Sequence, residues 1–205
     1  MASKDLLQAR MHCGGCGQED LPILAPLGVF QRGNETYTLP RYFYLGAQGG
    51  GDVIRLGIFA TIHGDEPEGA LALAKLIAEL EREPEIAKGY ALYLYPLCNP
   101  TGFEDNTRHA RGGKDLNREF WTQSASPEVS RLESEICLHA FHGIITLHSD
   151  DTSNGLYGFV GGAVLTENLL EPALREAERH LPRNRLPVID GFKARRGIIT
   201  EGYAG

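Results

Sequence analysis

Three polar clusters stand where apolar segments end: His63-Gly-Asp-Glu66, the run from Asn99 to Arg118, and His148-Ser-Asp-Asp151. His63 and Glu66 are three residues apart across a strand-to-helix turn, so an imidazole from the loop and a carboxylate from the first helical turn can approach one ion. His148 supplies a third donor from another strand end. Two histidines and one glutamate, with a fourth position left to water, make a catalytic zinc set. Nitrogen donors favour zinc over magnesium or calcium, although cobalt or manganese fits the same cage. His-x-x-Glu alone recurs by chance, and a Glu in a first helical turn is common for dipole reasons. The middle segment decides.

The elements around these clusters alternate in type. Tyr37 to Leu45 reads as a strand, Gly49-Gly50-Gly51 as a turn, and Val53 to Ile62 as a buried strand. From Pro67 to about Leu80, apolar residues recur at helical spacing (Ala70, Leu73, Ala74, Ile77, Leu80) behind an acidic start. Tyr90 to Leu97 reads as a second buried strand, Ser126 to Phe141 as an amphipathic helix, and Gly143 to His148 as a third buried strand. Leu156 to Val160 suits another strand, Glu167 to Leu181 another helix, and Gly197 to Thr200 a short strand. Strands alternating with helices predict an α/β fold, in which sites form beyond the carboxyl ends of the strands. All three polar clusters sit at such ends. Residues 1–35, rich in Gly, Pro and polar residues, read as an irregular lead-in to a single domain over 36–205.

The segment Asn99-Pro-Thr-Gly102, Arg108, Arg111, Asp115-Leu-Asn117-Arg118-Glu-Phe120 resembles the zinc carboxypeptidase family. The likeness is to the branch that holds bacterial murein-peptide amidases and the succinylglutamate desuccinylase and aspartoacylase group. The order His-x-x-Glu, Asn-Pro-x-Gly, Arg, Asp-Leu-Asn-Arg, then His after an apolar strand spans about residues 53 to 150. The resemblance implies a three-layer α/β/α domain with a mixed, largely parallel sheet, and zinc on His63, Glu66 and His148. It implies that Asn117 and Arg118 grip a substrate carboxylate, for which a guanidinium fork is suited. It makes Arg108 the group that stabilises the oxyanion, with Arg111 as its competitor in the same loop. Asp65 suits either an outer partner for a metal-bound imidazole or a helix cap, and Asp115 suits ordering the loop that presents Asn117 and Arg118. The acidic stretch after His148 would favour a substrate with an amino group near the cut bond.

The family also requires a late Glu as proton carrier. Glu201 is the candidate, but the chain stops four residues later at Gly205, so the alternative is that the base lies beyond a C-terminally incomplete domain. Tyr157 and Tyr203 are the candidates for a tyrosine over the substrate. The implied activity is hydrolysis of an amide bond in a carboxylate-bearing substrate, as in a metallocarboxypeptidase or murein-peptide amidase. An N-acyl amino acid deacylase is the rival enzyme, and a non-catalytic zinc-binding domain the rival outside enzymes.

Bulk properties narrow the partners. A net charge of -7, with no basic run, argues against nucleic acid as a partner; a small peptide or acyl-amino acid as the substrate is what the resemblance implies. No apolar stretch reaches membrane-spanning length and the first ten residues lack the apolar core of a secretory signal, so the expectation is no membrane partner and a cytoplasmic location. Cys13 and Cys16 lack the second pair of a zinc ribbon and read as reduced thiols in a loop. Nothing in the sequence fixes an oligomeric state.

Overall fold

The computed structural model describes residues 23–201, so Cys13, Cys16 and Tyr203 lie outside the described residues. The chain divides into two compact units, residues 1–149 and 150–205.

The first unit contains strands β1 (Ile23–Leu24), β2 (Val29–Arg32), β3 (Glu35–Thr38), β4 (Tyr42–Leu45) and β5 (Ile54–Ala60), then helix α1 (Glu68–Arg82). Strand β6 (Tyr90–Tyr95), helices α2 (Pro100–Asp105) and α3 (Pro127–His139) and strand β7 (Gly143–Leu147) follow. The main sheet has the order β1-β4-β6-β5-β7, while β2 and β3 form a separate hairpin. Pairings of β5 with β6 and β7 are parallel, and those of β4 with β6 and β1 are antiparallel. The sheet is therefore mixed with a parallel heart, in an α/β fold.

Side chains alternate across this sheet, and the alternation builds three layers. Ile58, Ala60, Leu92 and Leu94 face the Leu73-Ile77-Leu80 stripe of α1. Phe59 and Tyr95 face the other way, onto Val129 and Leu132 of α3. Their rings stack at 4.4 Å and are nearly parallel. α1 forms because its apolar residues share one face and Glu68 sits in its first turn, where the helix dipole favours a carboxylate.

Several expectations are corrected. Residues 23–35 are not irregular throughout: β1 joins the main sheet and β2 begins a hairpin with β3. The strand expected over 37–45 is split into β3 and β4, with Pro40, which has no N–H to donate, between them. Strand β7 is less buried than its apolar sequence suggests, with Ile144 47% and Ile145 37% exposed, because among the described residues it lies at the sheet edge and pairs with β5 alone. The long polar segment contains α2, started by Asn99 as its cap.

The second unit holds a helical stretch from α4 (Ala163–Leu165) through a π segment (Thr166–Leu170) to α5 (Glu171–Ala177). Strands β8 (Val188–Ile189), β9 (Phe192–Arg195) and β10 (Ile198–Ile199) form an antiparallel sheet in the order β10-β9-β8. Where a strand was expected over 156–160, there are isolated bridges from Leu156 to Arg183 and from Gly158 to Ile198. Leu174, Ile189 and Ile199 are its buried apolar residues.

Candidate metal centre

Parallel pairing places the site. β5 and β7 run together with Ala60 opposite Leu147, so the residues that leave their carboxyl ends, His63 and His148, emerge side by side. β6 is parallel to β5 on its other side, so the Asn99 loop leaves at the same edge. Of the three sequence clusters, these ends bring His63, Glu66, Arg108, Asp115 and His148 together.

The loop after β5 is held by Asn99. Its backbone N–H donates to the Thr61 carbonyl at 2.9 Å, and its side-chain amide donates to the carbonyls of Ile62 at 3.2 Å and Arg108 at 3.3 Å. Its carbonyl oxygen accepts from the Gly102 N–H at 2.9 Å, capping α2. Gly64 packs directly on this turn, and a Cβ there would lie 1.9 Å from the Gly102 carbonyl carbon. Asn-Pro-x-Gly is thus the clamp on which the His63 loop sits. Thr61 has φ of 53°, an unfavourable conformation for a β-branched residue, immediately before Ile62 and His63. Its hydroxyl donates to the Glu66 carbonyl at 3.3 Å, so the strained residue also fixes the turn that carries the carboxylate.

Nδ1 of His63 lies 2.6 Å from Glu66 Oε1, and Nδ1 of His148 lies 2.9 Å from Glu66 Oε2. One donor atom from each of the three residues falls within 4.8 Å of the others, and the imidazole rings are 4.9 Å apart. The backbone N–H of Ser149 also donates to Glu66 Oε2 at 3.1 Å, and its hydroxyl donates to Glu68 at 2.6 Å, tying β7 to the start of α1. Burial alone would raise the Glu66 carboxyl, but its contacts with His148 and His63 outweigh that and hold it at about 2.

Both imidazoles turn Nδ1 inward, so the outer nitrogens must carry the protons if the inner ones bind metal. Nε2 of His63 is buried and faces Asp115 Oδ1 at 3.3 Å, close enough to ion-pair although not aligned for a hydrogen bond. Burial works against ionisation of Asp115, and its neighbours His63 and Arg108 more than offset it, keeping the carboxyl low. A half-buried carboxylate set behind one imidazole, with three inward donors, fits a metal site.

Asp115 therefore does more than order its loop. It accepts the Asn117 N–H at 3.0 Å, receives Nε and Nη2 of Arg108 at 3.2 and 3.1 Å, and backs His63. Asp65 fills neither of its expected roles: it is exposed, and α1 has no side-chain cap bond. The sequence suggests only Asp65 for the outer-partner role and loop ordering for Asp115, because spacing alone does not show which carboxylate the folded loop turns toward His63.

Arg108 and Arg111 separate clearly. Nη1 of Arg108 lies 3.8 Å from Glu66 Oε1. Arg111 is held instead by Asp105 at 2.7 and 2.9 Å, Glu104 at 3.0 Å, Tyr37 at 2.6 Å and Glu35. Asn117 and Arg118 lie on the 3-10 turn Leu116–Arg118 with exposed side chains, and Arg118 forms no ion pair among the described residues. In the second unit, Glu201 is exposed and pairs with Lys193 at 2.9 Å. Tyr157 donates to Asp150, which also accepts the N–H and hydroxyl of Thr152. Asp150 is thus engaged within its own turn.

A His-Glu-His group that fits a metal site at the carboxyl ends of parallel strands, in a mixed sheet between helices, is consistent with a carboxypeptidase-like hydrolase fold. The family profile of the succinylglutamate desuccinylase/aspartoacylase catalytic domain matches residues 52–183, and the chain belongs to that family. Solved structures agree. A Shewanella baltica protein provisionally named a metallopeptidase is 25% identical, with a TM-score of 0.66 over 96% of this chain and 73% of that one. A Pseudomonas aeruginosa metallo-carboxypeptidase, bound to (2-guanidinoethylmercapto)succinic acid, is 24% identical, with a TM-score of 0.60 over 86% of this chain and 48% of that one. A Mesorhizobium loti aspartoacylase family protein is 18% identical, with a TM-score of 0.52 over 75% and 53%. No curated protein gives a significant match. No helix among the described residues is long and apolar enough to cross a membrane.

Proposed function

We propose that this protein is a zinc-dependent hydrolase that cuts an amide bond in a small substrate bearing a carboxylate. The observation that carries the reading is the His63, Glu66, His148 donor group within 4.8 Å, backed by Asp115 and flanked by Arg108. Imidazole donors favour zinc among the available divalent ions.

A zinc ion held by these three residues would polarise the substrate carbonyl and make water a competent nucleophile near neutral pH. Asp115 keeps the proton of His63 on its outer nitrogen, so the inner one is free to bind metal. Arg108, on the Glu66 side of the group, offers a fixed positive charge to the oxyanion that develops on the carbonyl oxygen. Asn117 and Arg118 hold the substrate's carboxylate, a role that suits Arg118, which forms no ion pair among the described residues. Glu201 is our candidate to receive the proton from water and return it to the leaving amine.

Membership of the desuccinylase/aspartoacylase family favours an N-acyl amino acid as substrate, and the likeness to metallo-carboxypeptidases keeps a short peptide as the second choice. The first test is elemental mass spectrometry on protein purified without added metal, beside His63→Ala. Zinc near one equivalent in the parent and near none in the variant supports the centre. A parent that folds yet takes up no transition metal would overturn it and favour a non-catalytic domain. A panel of acyl-amino acids and peptides then separates the two substrate classes.

A further inference from the structure

The second unit contains a cavity of about 300 Å³ lined by Glu178, Arg183, Arg185 and Arg196, and neither the metal centre nor the proposed chemistry uses it. At its base Arg183 is buried, with its side chain 2% exposed. Glu171 fixes that guanidinium in a fork, with Nη1 at 2.7 Å and Nη2 at 3.2 Å from its two carboxylate oxygens. Nε lies 3.2 Å from Glu178 but is not aligned for a hydrogen bond. Nη1 also donates to the Arg196 carbonyl at 3.4 Å, so the buried arginine locks the turn that carries a second one.

That turn is unusual. Arg196 and Gly197 are the two residues between β9 and β10, with φ of 53° and 77°. A two-residue hairpin with both φ values positive prefers Asn-Gly or Asp-Gly, and a long side chain at its first position is unfavourable. Strain of this kind persists where function holds it. Arg185 joins from the segment after Asn184, and neither Arg185 nor Arg196 forms an ion pair among the described residues. The guanidiniums of Arg185 and Arg196 thus line the cavity beside a third that Glu171 and Glu178 hold in place.

We infer that this cavity is a binding site for a small oxyanion, a phosphate or a carboxylate, gripped by Arg185 and Arg196 and floored by Arg183. Forked guanidiniums suit both anions. Glu178 makes the site modest in affinity, since its charge faces the same space. Binding is therefore strongest at low ionic strength, and Glu178→Gln tightens it.

Titration calorimetry of the whole chain at low salt, with inorganic phosphate and separately with succinate, tests this. Whichever probe binds identifies the source of the anion chemistry. Arg185→Gln is expected to weaken that binding by about tenfold or more. Arg196→Asn is expected to weaken it equally while raising the thermal midpoint, because Asn-Gly suits the turn; that rise separates lost binding from lost folding. His63→Ala is expected to leave binding unchanged. Absence of binding by either probe at millimolar concentration overturns the inference. So does binding that survives both arginine substitutions, and binding lost in His63→Ala would assign the anion to the metal centre instead.

Discussion

Asp115 faces the outer ring nitrogen of His63 at 3.3 Å while the inner nitrogen lies 2.6 Å from Glu66. One imidazole is thereby held between two carboxylates, one in the donor group and one behind it. Asp115→Asn keeps the shape of the side chain and removes its charge. We expect it to weaken metal binding by about 10- to 100-fold, the usual cost of losing the outer partner of a metal-bound histidine. Competition with a zinc-sensitive chelator measures this directly, and an unchanged affinity would remove Asp115 from the centre.

The two loop arginines should separate in kinetics. Arg108→Ala is expected to lower kcat/KM by about 10²- to 10³-fold, as loss of an oxyanion partner does. Arg111→Ala should leave turnover near the parent value and lower the thermal midpoint, because its guanidinium is committed to Asp105, Glu104 and Glu35. If the kinetic losses fell on Arg111 instead, the assignment would be reversed.

Acid stability should carry the signature of Glu66. Its carboxyl is held at about 2, below the ordinary value near 4.5. A group depressed in the folded state contributes stability that is present above its unfolded value and lost as pH falls through the folded one. The metal-free protein should therefore lose this contribution between about pH 4.5 and pH 2, at roughly 1.4 kcal/mol for each unit of depression. Glu66→Gln should lack that part of the acid dependence. Denaturant unfolding of both proteins across that range checks it, and parallel curves would contradict the prediction.

The grouping of His63, Glu66 and His148 was legible in the sequence because these residues sit at strand ends in short motifs. His63, Glu66 and His148 are spaced by elements whose apolar periodicity is plain, and parallel pairing of β5 with β7 does the rest. Asp115 was only half legible, since whether Asp65 or Asp115 backs His63 depends on how the Asn99 clamp seats the loop. The hairpin of β2 and β3 and the position of β7 at the sheet edge were hidden for another reason. Strand partners are set by tertiary packing, and an apolar run such as Gly143 to Leu147 reads the same in the middle of a sheet as at its margin. Arg183 gave no sign of burial because its partners, Glu171 and Glu178, lie on a helical stretch whose facing could not be read from spacing alone.

Two glycines of the same polar region should respond oppositely to alanine. A Cβ on Gly64 would fall 1.9 Å from the Gly102 carbonyl carbon and 2.2 Å from the Phe103 nitrogen, both backbone atoms with no freedom to rotate aside. The loop must then lift off the Asn99 clamp, and His63 and Glu66 flank the residue that moves. Gly64→Ala should cost about 1–3 kcal/mol or more in stability, as overpacking does, and weaken metal binding at the same time. At Gly112 nothing lies within 4 Å of the added carbon and the backbone is not left-handed. Gly112→Ala should be neutral or stabilise by a few tenths to about 1 kcal/mol, through a less flexible unfolded chain. Unfolding curves and chelator competition on the two variants test both halves. Equal behaviour would mean that the clamp between Gly64 and Gly102 does not set the geometry of the metal centre.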